Sequence, residues 1–205
     1  MNQNKDLIDL VAGLLKKDRS YRRFDNSVQI DCETLSRLVA LTRYCSSGRN
    51  LQPLKYRIVP TSELCQSIFP LLAWAGYYKD WDGPAPHERP SAYIIQCLDT
   101  ELTSDCMCDD GLHLQAISLG ATAMGLGGCI IKAFNAKALA DVLALPLTLK
   151  PLYVYALGKP AEEVVITDLR QDGDYKYYRD STDRQCVPKR DIDDVIISDI
   201  VEGRG

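Results

Sequence analysis

Apolar positions along the chain switch between helical and strand spacing. Leu7, Leu10, Val11, Leu14 and Leu15 recur every three or four residues, which predicts an amphipathic helix over 4–17. Asp31-Cys-Glu-Thr-Leu opens a second helix, with Leu35, Leu38, Val39 and Thr42 on one face, and the stretch from Ser46 to Pro53 breaks it. Tyr56–Val59 has the character of a short strand ended by Pro60, with Thr61 or Ser62 as the cap of a helix running to Phe69. Trp74, Tyr77, Tyr78 and Trp81 also recur at three or four residues, which predicts a helix face in the core or between subunits, with an aromatic lid over a bound ligand as the alternative. Residues 78–91, with prolines 84, 86 and 90 and Gly83, form a loop or flap.

The second half repeats the alternation. Residues 92–98 are strand-like, and 111–124 are apolar nearly all the way round, as suits a helix in the middle of a domain. Gly125-Leu-Gly-Gly ends that helix, and Cys129–Ile131 follows as a buried strand. Asn135 can cap a helix over 138–145, which stops before Pro146. Leu152–Leu157 is another buried strand, closed by Gly158-Lys-Pro, and the tail from 162 to 205 is polar. Strands alternating with helices over 205 residues indicate one α/β or α+β domain spanning 1–205.

Composition narrows the function classes. The chain is 46% apolar and 25% charged, which suits a packed core, and its net charge of -4 argues against a general nucleic-acid binder. An anion site must therefore come from local clusters of Lys and Arg. The first residues carry no apolar leader, and no apolar run reaches membrane-spanning length, so the expectation is a cytoplasmic protein. Its eight cysteines are then expected to be reduced and mostly buried. Cys106-Met-Cys108 lacks a second ligand pair, and His87 and His113 do not supply one, so no metal site is expected.

Four segments carry candidate chemistry. Asp18-Arg-Ser-Tyr-Arg-Arg-Phe24 offers the guanidinium forks of Arg19 and Arg22 around the Ser20 hydroxyl, a set suited to a phosphate monoester or to a solvated helix end. Ser46-Ser-Gly-Arg-Asn-Leu-Gln-Pro53 can bring backbone close to a flat polar ligand, or can simply turn. Gly125–Phe134 runs helix, Gly-rich turn, strand, the reverse of a dinucleotide fingerprint. Val187-Pro-Lys-Arg190 is a surface charge pair or the remainder of an anion site.

In order and spacing these segments resemble the FMN-dependent nitroreductase family. Arg-Ser-x-Arg-x-Phe at 19–24 resembles its phosphate motif, and Ser47 to Pro53 with Tyr56-Arg-Ile-Val resembles its Ser-x-x-Asn-x-Gln-Pro loop and first strand. Asp110 to Gly127 is similar to its central helix, Lys132-Ala-Phe to the segment that passes the flavin, Tyr155–Pro160 to its last core strand, and Pro188-Lys-Arg190 to its closing basic pair. The resemblance runs from about residue 15 to 198.

The resemblance implies an α+β fold with a mostly antiparallel sheet of four to five strands, flanked by helices, in a homodimer with FMN at the interface. Arg19, Ser20, Lys189 and Arg190 would hold the phosphate, and Arg22 would lie between the phosphate and the pyrimidine edge of the flavin. Ser46, Ser47 and Asn50 would reach the flavin from the partner subunit, with Gln52 and Pro53 shaping that loop. Ile130 and Ile131 would pack on the ring, and backbone near Lys132 and Ala133 would approach flavin N5. No side chain is then expected to be catalytic, because the flavin carries the chemistry. The implied activity passes electrons from NADH or NADPH to a small electrophilic acceptor by a ping-pong scheme. A flavin-storage module, or a flavin enzyme of the same fold with another reaction such as dehalogenation or flavin cleavage, is the alternative. Asp18, Ser46, Arg49 and the Gly127–Gly128 pair depart from the family pattern.

Overall fold

The computed structural model describes residues 2–197, so the end of the polar tail lies outside the described residues. The chain divides into two compact units, Met1–Glu162 and Glu163–Gly205. The first holds α1 (Asn2–Lys17), β1 (Phe24–Asp25), α2 (Cys32–Ala40), β2 (Leu54–Val59), α3 (Leu64–Ile68), β3 (Ala92–Asp99), α4 (Asp109–Ala123), β4 (Gly127–Ile131), α5 (Ala136–Val142) and β5 (Leu149–Pro160). Its five strands form one antiparallel sheet in the order β1-β5-β3-β2, and β4 also pairs with β5.

Strand β3 shows why the hydrophobic run at 92–98 does not alternate with polar residues. Tyr93, Ile95 and Cys97 face one layer, packed with Ile68 of α3 and Leu139 of α5. Ala92 and Ile94 face the other, packed with Leu35 and Leu38 of α2 and Leu114 and Ile117 of α4. Helices cover both faces, so both sets of side chains are buried. Two caps expected from the sequence are formed: Asp31 Oδ1 accepts from the Thr34 amide at 2.8 Å and Asn135 Oδ1 from the Ala138 amide at 3.1 Å.

Several expectations are corrected. Neither Thr61 nor Ser62 caps α3; the Thr61 hydroxyl instead accepts from the Ile30 amide at 2.9 Å. The segment holding Trp74, Tyr77, Tyr78 and Trp81 is irregular, not helical, and Trp74 is buried there through stacking on Phe69 at 5.8 Å between ring centroids. Gly127 and Gly128 belong to β4 and not to the preceding turn, and Gly158-Lys-Pro continues β5, where Pro160 pairs with Phe24. Helix α4 is not buried all round: Leu112 is 44% exposed, on the side away from His113, Leu114 and Ile117.

The second unit contains β6 (Val164–Asp168), β7 (Tyr178–Arg179) and β8 (Gln185–Lys189), strands that the polar tail did not suggest. β6 runs parallel to β8, and β7 antiparallel to it. The turn before β8 is organised by Asp180, whose carboxylate accepts from the amides of Thr182 (2.9 Å) and Arg184 (3.0 Å) and from Arg184 Nε (2.8 Å).

Candidate functional site

After α1 the chain crosses to the edge strand β4. Ser20 forms a parallel bridge with Gly128, and the Tyr21 amide donates to the Gly128 carbonyl at 3.0 Å. Gly128 is itself held tightly against β5: a Cβ there would lie 2.5 Å from the Tyr155 ring and 2.6 Å from the Ala156 carbonyl oxygen. On the other side, the Glu162 carboxylate accepts from the amides of Arg22 and Arg23, the latter at 3.1 Å. Asp18 fixes the start of the segment, accepting from Gln115 Nε2 at 2.6 Å and Ser118 Oγ at 2.8 Å, both on α4. The Asp18 departure thus pins the Arg-Ser-x-Arg segment to the central helix.

The segment presents cations beside β4. Arg19 Nη2 donates to the Leu15 carbonyl at 2.7 Å, closing the end of α1, while its Nε is buried and has no partner among the described residues. Arg22 Nη1 donates to the Ser20 carbonyl at 3.4 Å. Burial raises the Cys129 thiol on β4, against the pull of the Arg22 charge beside it.

On β4, neighbouring residues point to opposite faces. Ile130 is 44% exposed, whereas Ile131 is 5% exposed and packed in the layer with α3 and α5. Of the two isoleucines, Ile130 offers the open apolar surface, and strand alternation turns Ile131 into the core. Lys132 and Ala133 are exposed; Lys132 Nζ sits 3.3 Å from the Tyr153 hydroxyl, and the Ala133 carbonyl accepts from the Ala73 amide at 2.9 Å.

The 46–53 loop is built around a residue that sequence reasoning passed over. Asp109, 1% exposed in the first turn of α4, accepts from Ser47 Oγ at 2.6 Å and from the Gly48 amide at 2.9 Å. Ser47 Oγ also accepts from the Gln52 amide at 2.9 Å. The Ser47 hydroxyl thus joins its own loop to the start of α4. Arg49, Asn50 and Gln52 have φ of 53°, 57° and 51°, left-handed values held by these bonds. Ser46, Asn50 and Gln52 stay exposed, and Gln52 Nε2 donates to the Asn50 carbonyl at 3.1 Å. The useful signal in the sequence was an acid at the start of the central helix, where a carboxylate suits free amides.

The loop and the cationic segment occupy different places on α4. Asp109 and Ser118 are nine residues apart, about two and a half turns and about 13 Å of rise, and so lie on opposite faces of the helix. One chain thus carries the loop and the cationic segment on either side of its central helix.

Between them lies a buried polar group. Tyr56 Oη and His113 Nδ1 are 2.7 Å apart, and Gln96 Nε2 donates to the Asp110 carbonyl at 3.2 Å. Burial pushes the Tyr56 hydroxyl up to about 12 and lowers the His113 imidazole, which the Asp109 charge partly offsets. In the second unit, Lys189 ends β8 and is exposed, as is Arg190. Cys106 is buried and Cys108 exposed, and among the described residues no group of three His, Cys, Asp or Glu side chains could hold a metal ion. No helix among the described residues is long and apolar enough to cross a membrane.

The Nitroreductase family model matches residues 105–159, the stretch from before α4 through most of β5. The structure is similar to a nitroreductase family protein from Clostridium novyi, with 24% identity, TM-score 0.60 and coverage of 73% of this chain and 84% of the other. It is also similar to an FMN-dependent nitroreductase from Clostridium difficile, with 20% identity, TM-score 0.61 and coverage of 83% and 98%. A third match is a Bacteroides thetaiotaomicron protein named for NADH dehydrogenase or NAD(P)H nitroreductase activity, with 21% identity, TM-score 0.61 and coverage of 74% and 87%. The sheet order, the central helix and these matches agree, and the chain is a protein of the nitroreductase fold.

Proposed function

We propose that this protein is an FMN-dependent oxidoreductase that passes electrons from NADH or NADPH to a small electrophilic acceptor such as a nitroaromatic or a quinone. The observation that carries the reading is the bridge between Ser20 and Gly128, which brings the segment holding Arg19 and Arg22 alongside β4, the strand that also carries the exposed Ile130. The residues fit a phosphorylated flavin: Arg19 has a buried Nε without a partner among the described residues, and Ile130 is an apolar shelf on the strand that Ser20 bridges. The fold and the FMN-dependent relative add support.

In this reading Arg19 and Ser20 bind the phosphate, and Arg22 faces the pyrimidine edge, where its charge favours electron-rich ring states. Ile130 supports one face of the ring and excludes water from it. The exposed backbone at Lys132 and Ala133 borders the reactive edge. For Lys189 and Arg190 a phosphate role rests on the sequence resemblance alone. Bound FMN would supply a hydride-accepting N5, which leaves no acid–base step for a side chain.

The dimer is part of the proposal. Leu7, Ile8 and Leu10 of α1 are each more than half exposed, and Leu112 adds apolar surface on α4. Exposed apolar residues of this kind suit burial against a second copy. Such pairing would let Ser46, Asn50 and Gln52 of one chain reach the cationic segment of the other, which the opposite faces of α4 keep apart within a chain.

Anaerobic addition of NADH or NADPH to FMN-loaded protein tests turnover. Loss of the flavin absorption band, and its return on adding a nitroaromatic or a quinone, is the expected result. A band that persists with both donors would contradict the enzyme and favour a storage module.

A further inference from the structure

A cavity of the first unit lies away from the candidate flavin site. It encloses about 420 Å³ and is lined by Asn26, Gln29, Thr61, Gln66, Arg89 and Ser91, among others. Tyr93 and Cys65 also line it, and both belong to the layer that packs against α3. Ile130, by strand alternation, projects on the α4 side. The sheet therefore separates this cavity from the proposed flavin shelf.

The chemistry of its wall is specific. Arg89 is its one cationic lining residue, and no carboxylate is among the described residues that line it. The Arg89 guanidinium lies 3.9 Å from the centroid of the Phe69 ring, whose stacking with Trp74 at 5.8 Å backs it from behind. Asn26 Nδ2 holds the Arg89 carbonyl at 3.0 Å. The planar fork is thus oriented, while its Nε is buried and without a hydrogen-bond partner among the described residues. Ser91 is 1% exposed; its amide donates to Leu157 at 3.0 Å, yet its hydroxyl has no partner among the described residues. A buried hydroxyl and a buried guanidinium nitrogen on two residues of one cavity wall leave hydrogen-bonding capacity unmet, which is costly unless an acceptor meets them.

We propose that this cavity binds a small carboxylic acid, its carboxylate accepting from Arg89 and Ser91 and its body lying among the amides of Asn26, Gln29 and Gln66. A carboxylate matches a guanidinium fork in two parallel hydrogen bonds. A single cation and neutral amide neighbours suit one negative charge better than the two of a phosphate. The volume sits within the range of small-molecule sites.

Calorimetric titration of the full chain, as purified, tests this with benzoate and nicotinate as carboxylate probes, benzamide as the uncharged analogue and inorganic phosphate as the competing anion. Saturable binding of benzoate or nicotinate, at least tenfold tighter than benzamide or phosphate, is the expected result. Arg89→Gln should weaken the carboxylate at least tenfold and remove its advantage over benzamide, and Ser91→Ala should weaken it severalfold, with flavin content unchanged in both. No saturable binding of either carboxylate, equal binding of benzamide, tighter binding of phosphate, or full affinity in Arg89→Gln would overturn the assignment. If Arg89→Gln does not fold, Ser91→Ala, which removes a single oxygen, carries the test: full carboxylate affinity in it would overturn the assignment.

Discussion

Asp18 accepts a hydrogen bond from Ser118 Oγ at 2.8 Å, across a sequence separation of 100 residues. The same carboxylate oxygen takes Gln115 Nε2 at 2.6 Å, so one acid joins the end of α1 to the middle of α4. The cationic segment is positioned by this joint as much as by the bridge to Gly128.

Replacing Asp18 by Ala should therefore loosen the segment without touching Arg19 or Arg22. The expected loss of stability is about 1–2 kcal/mol, since a charged acceptor with a buried hydroxyl donor is removed. Denaturant unfolding measures it, and flavin retention should fall in the same variant. Unchanged stability and retention would show that the joint is incidental.

Asp109→Ala should release the 46–53 loop. Ser47 Oγ and the Gly48 amide lose a buried carboxylate acceptor, and three non-glycine residues then hold left-handed backbone with less support. A cost of about 2–3 kcal/mol is expected for hydrogen bonds to a charged group. Limited trypsin digestion should cleave after Arg49 much faster than in the parent protein. Equal cleavage rates would place the control of the loop elsewhere.

Acid should destabilise the fold partly through His113. Burial lowers its pKa, so below the ordinary imidazole value of about 6.5 the unfolded chain takes up a proton that the folded chain resists. Its contribution to stability is intact above that pH and declines as pH falls below it. Denaturation curves between pH 7 and pH 5 should show a shallower decline for His113→Asn than for the parent. Identical slopes would mean that His113 takes up its proton equally in both states.

Much of this architecture was legible in the residues themselves. The periodic run 111–124 marked α4, and Asp31 and Asn135 marked two helix starts. What stayed hidden depends on contacts between distant parts of the chain. The aromatic spacing at 74–81 mimics a helix, but Gly83 and the prolines that follow leave it as a loop packed by Trp74. Gly127 and Gly128 look like a turn in the sequence, and only the crowding of Tyr21 and Tyr155 against them explains why a strand carries glycine there. Asp109 and Glu162 organise the candidate site through backbone amides, a role that leaves no motif.

The most direct measurement is a comparative titration of flavin-free protein with FMN and with riboflavin, followed by quenching of flavin fluorescence. Saturable FMN binding is expected, with riboflavin at least tenfold weaker because it lacks the phosphate, and with that difference shrinking in Arg19→Ala. Absence of FMN binding, or equal binding of the two flavins, would contradict a phosphate held by the segment that begins at Arg19.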